Sequence, residues 1–225
     1  MTSLDDVDRG TPGGSLLRQY EQRRTRREQE VRNRHPRLGG LLLRVQAEPT
    51  TTSSFLSGAR GEAFVAQRLM RKCGPTVELL FNRRLSARGR DGDIDVLAVT
   101  ANGVHLVDVK RYLRATVRVR RSGGLLLPLK EQLLINGRDQ TRLLDSVERQ
   151  RQVVGGLLDA FGAPLPLHLA MCFVDADLPL VPERIGGVAL LGSKGVARRM
   201  DKPGPLDAEA RARLLRCLAG ELPPA

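Results

Sequence analysis

Residues 89–110 read GRDGDIDVLAVTANGVHLVDVK, and they predict two β-strands joined by a tight turn. The first strand, 93–100, is rich in Ile, Val, Leu and Ala. The turn contains Asn102-Gly103, a dipeptide that favours a hairpin connection. The second strand, 104–110, continues the apolar pattern as far as its last residues. The stretch therefore predicts an apolar hairpin that can form the centre of a sheet.

Charged residues interrupt this hairpin at one end. Side chains alternate between the two faces of a strand, so Asp108 and Lys110 share one face of the second strand. By the same rule, Asp95 is expected to point the same way as Leu97 and Val99 on the first strand. Two carboxylates and a lysine are thus predicted to cluster where the hairpin ends.

This cluster has two interpretations. Asp and Lys are rarely buried unless they are paired or bound to a metal. In one interpretation, Asp108 and Lys110 are the fraying end of an edge strand and Asp95 belongs to a turn. In the other, the two carboxylates hold Mg²⁺, and the lysine lies beside an attacking water or a scissile phosphate. The hairpin by itself leaves both open.

Two polar residues fall on apolar stripes of predicted helices. In the helix 58–72, Glu62 lies on one stripe with Val65 and Leu69, either as a helix-dipole contact or as a group that leans over the sheet toward a metal. In the helix 139–161, Gln150 falls on the apolar stripe. A buried amide needs partners, so Gln150 is either a structural hydrogen-bonding residue or a site residue.

The order Asp95, about a dozen residues, then Asp108-Val109-Lys110 resembles the core motif of the PD-(D/E)XK nuclease superfamily. Several segments together are similar to the nuclease-related domain family, NERD, over roughly residues 58–175. These segments are GARGEAFVAQRL, the NRR at 82–84, DGDIDVLAV, GVHLVDVKRY and NGRDQTRLLDSVERQ.

The resemblance implies a metal-dependent nuclease that hydrolyses phosphodiester bonds, acting in DNA processing or repair, with DNA favoured over RNA. It implies that Asp95 and Asp108 bind Mg²⁺ or Mn²⁺, with Glu62 as a further ligand directly or through water. Lys110 would position or activate the water and stabilise the phosphate, and Gln150 would orient water or substrate.

The predicted fold class is α/β, an α+β sandwich with a mixed central β-sheet flanked by helices. The resemblance specifies a restriction-endonuclease-like core. The predicted elements are the helix 58–72, strands 77–81, 93–100, 104–110, 115–121 and 125–135, the helix 139–161, strands 167–174 and 188–191, and the helix 205–218.

Three regions divide the chain. Residues 1–14 are predicted to be a disordered tail, 15–57 a basic helical arm and linker, and 58–222 the nuclease-like domain. In the arm, the helix 15–34 is predicted to be capped by Ser15 and carries seven arginines with Glu at ion-pair spacing. It is either a solvated helix or an arm that binds phosphates.

The net charge is +12, from 37 Lys and Arg against 25 Asp and Glu. Such a charge favours a polyanion such as nucleic acid, and less readily an anionic membrane surface. High-GC coding bias is the competing explanation for the many arginines. Four arginines near the predicted site are candidates for contacts with nucleic acid: Arg84, Arg88, Arg111 and Arg118.

The remaining features concern the compartment. The beginning of the chain is acidic and polar rather than signal-like, and no apolar run approaches the ~20 residues that span a bilayer. The three cysteines lack metal-site spacing and are predicted to be free thiols. These features predict a cytoplasmic protein without a membrane partner.

Two other functions stay open at this point. The fold could serve as a nucleic-acid-binding or adaptor module with weak catalysis, the basic arm supplying affinity. It could also belong to a structure-selective resolvase, which shares the GDID sequence and would require a homodimer.

Overall fold

A six-stranded mixed β-sheet forms the centre of the molecule. The structure is a computed structural model, which describes residues 6–36, 50–85, 92–123, 129–162 and 165–225. Its strands are β1 (Glu78–Arg84), β2 (Asp93–Thr100), β3 (Gly103–Arg111), β7 (Leu167–Val174), β8 (Arg184–Ile185) and β9 (Val188–Leu191), in the order β1-β2-β3-β7-β9-β8. The strands β1, β2 and β3 are antiparallel, whereas β7 runs parallel to both β3 and β9.

A second, three-stranded sheet lies in the connection between β3 and β7. It consists of β4 (Val117–Ser122), β5 (Lys130–Ile135) and β6 (Arg138–Asp139). A parallel neighbour needs a long crossover, and this sheet together with the helix α3 (Leu144–Ala160) supplies it.

Helices cover both faces of the central sheet. The first layer contains α3, α5 (Ala208–Glu221) and the inner side of the small sheet, and the second contains α2 (Thr50–Lys72) and α4 (Ser193–Met200). The helix α1 (Gly14–Arg34) packs against α2 from outside. The α+β class with a mixed sheet flanked by helices is therefore confirmed.

The hairpin β2–β3 is buried on both sides because its two faces contribute to different layers. Val99 and Leu106 pack in the first layer, and Ala98 and Val107 pack in the second. All four are at most 1% exposed. The strands at the middle of a two-layered sheet are expected to be apolar throughout, which explains the composition of residues 93–109.

Several predicted boundaries were wrong in the N-terminal half. Residues 50–57 belong to α2 rather than to a linker, because they pack against α1, with Arg23 stacked 4.6 Å from the ring of Phe55. Ser15 is not the cap of α1, since the helix begins at Gly14 after Gly13. Within the predicted disordered tail, residues 8–13 are held against β1.

Other boundaries moved for local reasons. The strand β1 continues to Arg84 because its end pairs with Pro223 and Pro224. The helix α3 begins at Leu144 rather than at 139, since the Asp139 carboxylate accepts hydrogen bonds from Thr141 in a turn. The helix α4 and the strand β8 were not predicted. Residues 39–46, a short apolar segment of the arm that was expected to pack back on the domain, lie outside the described residues, as do residues 125–128 of the predicted strand 125–135.

Candidate active site

The structure brings the five predicted site residues to one end of the central sheet, where both helical layers meet the hairpin. They are Glu62 on α2, Asp95 on β2, Asp108 and Lys110 on β3, and Gln150 on α3. Glu62 comes from the second layer and Gln150 from the first. The site is therefore enclosed from both faces of the sheet.

Asp95 lies where β2 separates from β3. The ladder between the two strands ends at the Val96–Val107 pair, and beyond it the Val109 N–H donates to Asp95 Oδ2 at 2.6 Å. A side chain thus replaces a backbone acceptor at this point of the sheet. This hydrogen bond favours the charged form of the Asp95 carboxylate, and it also fixes the orientation of that carboxylate.

The regular alternation on which the prediction for Asp95 depended does not hold at the start of β2. Ile94 and Leu97 both pack in the first layer, although strict alternation would place them on opposite faces. The alternation is therefore reset between them, at Asp95. The neighbouring strand β1 is irregular opposite this point, because Asn82 has a φ of 44°. The next residue, Arg83, donates to the Ala219 carbonyl of α5 in the first layer.

Asp108 and Lys110 form a buried ion pair. Lys110 Nζ lies 2.6 Å from Asp108 Oδ2, and the side chains are 25% and 4% exposed, respectively. That Asp108 oxygen accepts from the Lys110 ammonium, and a carboxylate oxygen has lone pairs for more than one partner. Burial raises the pKa of Asp108, and Lys110 partly opposes this. The site thus holds a carboxylate oxygen with capacity for a further partner.

The pKa of Lys110 is raised. Burial acts to lower it, but the carboxylates of Asp108 and Asp95 outweigh burial. Lys110 is consequently an ammonium ion at neutral pH, a hydrogen-bond donor and a positive charge rather than a proton acceptor.

The charged forms of Glu62 and Asp95 are both disfavoured in the folded protein. The pKa of Glu62 is raised to about 7, chiefly by burial and also by the charges of Asp108 and Asp93, whereas a hydrogen bond from Gly13 and the charge of Lys110 oppose the rise. The pKa of Asp95 lies well above its usual value, because of burial and the charges of Glu62 and Asp108. Three carboxylates therefore repel one another around a single lysine.

Gln150 links α3 to the beginning of β2. Its Nε2 donates to the Asp93 carbonyl at 3.0 Å, two residues before Asp95. Its Oε1 is buried and has no hydrogen-bond partner in the described part of the chain. An unsatisfied buried amide oxygen lowers the free energy of unfolding, so Gln150 destabilises the apolar stripe in which it lies.

The predicted nucleic-acid contacts have different surroundings. Arg111 is paired with Asp175 at 2.7 Å and Arg118 with Asp177 at 3.6 Å, so both are partly neutralised. The Arg84 side chain is partly exposed, and no hydrogen bond or ion pair joins it to the described residues. Arg88 lies outside the described residues.

Comparison with known families agrees with this arrangement. A family model of the nuclease-related domain matches residues 57–174, just over half of the chain. The chain belongs to the nuclease-related domain family. The match contains all five site residues and the whole β2–β3 hairpin. No curated protein and no solved structure matches the chain.

Membership of the nuclease-related domain family indicates a nuclease-related role that involves nucleic acid. No described helix is long and apolar enough to cross a membrane. Across the described ranges, no three His, Cys, Asp or Glu side chains form a group that could hold a metal ion. Any metal at this nuclease-related site would accordingly need other ligands, such as water or substrate oxygens.

Two contributors to the site were not predicted from the sequence. Asp93 adds negative charge near Glu62, and its place in the DGDID run could have indicated this. Gly13 donates its N–H to Glu62 Oε2 at 3.1 Å. No sequence signal indicated Gly13, since a contact 49 residues apart in the chain depends on the fold.

Proposed function

We propose that this chain is a metal-dependent nuclease that hydrolyses phosphodiester bonds in nucleic acid. The observation that supports this most strongly is the convergence of Glu62, Asp95 and Asp108 on Lys110 where β2 leaves β3. The two buried carboxylates of Glu62 and Asp108, together with the half-buried Asp95, exceed the charge of one lysine. A structural ion-pair network would be expected to balance its charges, whereas this site favours an added cation.

The residues fit a hard divalent cation such as Mg²⁺ or Mn²⁺. Mg²⁺ usually keeps several waters and takes only one or two carboxylates from the protein, a number that Asp95 and Asp108 supply. Asp108 Oδ2 accepts from Lys110, but a carboxylate has about four lone-pair sites, so Asp108 keeps acceptor capacity for a metal. Because no three described side chains form a metal-binding group, Glu62 would act as a further ligand through water. The bound metal would supply Lewis-acid activation of water and phosphate.

Lys110 acts electrostatically in this proposal. Since the neighbouring carboxylates raise its pKa, it donates hydrogen bonds to the attacking water or the phosphate and offsets charge that develops on the phosphate. Gln150 holds the start of β2 through Nε2, and its unsatisfied Oε1 is available to orient a water or the substrate.

The substrate class follows from chemistry that recognises phosphates. The net charge of +12 favours a polyanion, and α1 adds seven arginines against three glutamates, two of which pair with Arg24 and Arg26. Arg84 is the predicted contact most available to a phosphate. DNA is the favoured substrate, in processing or repair.

A cleavage assay tests this function. Supercoiled plasmid, linear duplex, single-stranded DNA and RNA are incubated with Mg²⁺, Mn²⁺ or EDTA. We expect metal-dependent cutting by the wild type that is lost in Asp95→Ala and Lys110→Ala, with metal binding largely kept in the latter. The matched control Lys130→Ala changes an exposed lysine of β5 and should cut normally.

Two outcomes would contradict the proposal. Wild-type levels of cutting by Lys110→Ala would exclude its assigned role. If the wild type bound nucleic acid in a salt-sensitive way and cut none of the substrates with either metal, the binding-module function would replace the nuclease.

A further inference from the structure

A segment outside the family match reaches the proposed site. Residues 8–14, called the N-terminal strap here, run along the free edge of β1. The Phe81 N–H donates to the Arg9 carbonyl at 2.7 Å, and Arg83 Nη1 donates to the Asp8 carbonyl at 2.8 Å. Arg9 also pairs with Glu78 at 2.7 Å. Backbone and side-chain contacts together fix the strap on the sheet edge.

The strap ends on the carboxylate of Glu62. The Gly13 N–H donates to Glu62 Oε2 at 3.1 Å, and Glu62 is only 4% exposed. Asn82 Nδ2 also donates to the Thr11 carbonyl, which ties the middle of the strap to the level where Asp95 leaves the ladder. A hydrogen bond to a buried carboxylate restricts the rotation of that carboxylate, because other orientations would leave its charge without a hydrogen-bond donor.

The geometry at Gly13 admits no side chain. Its φ is +72°, and a Cβ built there would lie 2.7 Å from the carbonyl oxygen of Ala59, on the backbone of α2. Both the left-handed conformation and the close approach to a helix backbone require glycine. The requirement arises because the strap must come close enough for its N–H to reach Glu62, one turn further along α2.

We infer that the strap is part of the active site and that Gly13 is a positioning residue, which holds Glu62 in the orientation needed for metal-dependent cleavage. This inference rests on the proposed function and extends it to residues outside 57–174. The strap acts only through Glu62, so its contribution should depend on that carboxylate.

The first experiment is a double-mutant cycle in the full chain. Gly13→Ala should lower kcat by about tenfold or more with little change in KM for nucleic acid. In the Glu62→Gln background, the same substitution should have less than about a twofold further effect. The control Gly137→Ala has a similar φ of +75° but open space around it, and should keep wild-type kcat. Equal effects of Gly13→Ala in both backgrounds would overturn the inference.

The second measurement does not depend on cleavage. Hydrogen exchange of the Gly13 amide should be slow in the wild type and at least about tenfold faster in Glu62→Ala, which removes the acceptor. Unchanged exchange would overturn the inference, even if Gly13→Ala failed to fold. A chain that cuts no nucleic acid but shows the Glu62-dependent exchange would refute the nuclease and retain the contact between strap and carboxylate.

Discussion

At the scale of single residues, Glu62 shows the conflict between stability and function most directly. Its carboxylate is buried and its pKa is raised to about 7, from an ordinary value of 4.5. A carboxylate whose pKa is raised on folding stabilises the folded state below pH 4.5, and this contribution is lost as the pH rises through 7. The metal-free protein is therefore destabilised at pH 8 by a charge that the proposed metal would neutralise.

Glu62→Gln should stabilise the metal-free protein at pH 8 by about 1–3 kcal/mol, because a neutral amide keeps the size of the side chain and an acceptor for Gly13. The gain should disappear at pH 4, and metal affinity should fall at both values. Thermal unfolding with EDTA and with Mn²⁺ measures both effects. The control Glu148→Gln changes an exposed glutamate paired with Arg151 and should show no gain. A less stable Glu62→Gln protein at pH 8 would contradict this account.

His105 is a second costly buried group, at the opposite end of the hairpin. Its Nε2 is hydrogen-bonded to Asn102 Oδ1 at 2.8 Å, and its ring lies 4.5 Å from that of His168. Burial, and after it the charges of His168 and Arg199, lower the pKa of His105 to about 3. The folded protein therefore keeps this imidazole neutral at pH values where the unfolded chain protonates it.

Stability should fall as the pH decreases from 6.5 toward 3, since a depressed folded pKa gives a contribution that is present above 6.5. Between pH 6.5 and pH 5 the loss from His105 should be about 2 kcal/mol. Urea unfolding at several pH values measures the slope. His105→Gln should have a shallower slope in this range, whatever its stability at pH 7. Identical slopes would show that His105 does not control acid sensitivity.

At the scale of secondary structure, α3 carries a polar residue in a stripe that is otherwise apolar. Val147, Gln150 and Val154 are all buried, and Gln150 Oε1 has no hydrogen-bond partner among the described residues. Apolar residues would serve the packing of this helix better. The proposed role of Gln150 at the site would account for this amide, which holds the start of β2 through Asp93.

Gln150→Leu should change the free energy of unfolding by less than about 1 kcal/mol, because one lost hydrogen bond to Asp93 is offset by removal of the unsatisfied oxygen. Cleavage should fall by at least about tenfold. Urea unfolding and single-turnover cleavage separate the two effects. Gln152→Leu, on the exposed side of α3, is the matched control. A Gln150→Leu protein with normal cleavage and reduced stability would make Gln150 a structural residue.

The elements also show what sequence reasoning could reach. The hairpin β2–β3, the strand β7 and the type of the large sheet were predictable, because alternation and buried apolar runs act locally. The reset of side-chain alternation at Asp95 was not predictable, since it depends on Asn82 and Arg83 in the neighbouring strand. The start of α2 at Thr50 could not be predicted for a similar reason. A run of Thr and Ser has weak helix propensity, and packing of α2 on α1 outweighs that weak propensity.

Within the candidate site, the sequence predicted which residues come together but not all of the contacts that support them. Asp95, Asp108 and Lys110 are close in sequence and lie on paired strands, so their meeting followed from strand geometry. Gly13 lies far from Glu62 in the chain, and a polar tail with glycines resembles a disordered segment. Its place is determined by the edge of β1 and by close contact with the backbone of α2 at Ala59.

At the scale of the whole molecule, Arg83 joins the first described residues to the last. It is 1% exposed, and its guanidinium donates to the carbonyls of Asp8, Ala219 and Leu222 at 2.6–2.8 Å. Burial lowers the pKa of Arg83, although Asp8 opposes this. A buried guanidinium satisfied mainly by carbonyls is stable only while all of these segments remain in place.

Arg83→Met should cost about 3 kcal/mol of unfolding free energy, because it keeps most of the buried volume but leaves three carbonyls without their donor. It should also release the N-terminal strap, so residues 8–14 should exchange amide hydrogens faster. Urea unfolding and hydrogen exchange measure these effects. The adjacent control Arg84→Met should change stability by less than about 0.5 kcal/mol and instead weaken nucleic-acid binding with a smaller salt dependence. If Arg83→Met left the exchange of residues 8–14 unchanged, the strap would be held by β1 without the help of this guanidinium, and the two ends of the chain would be stabilised independently.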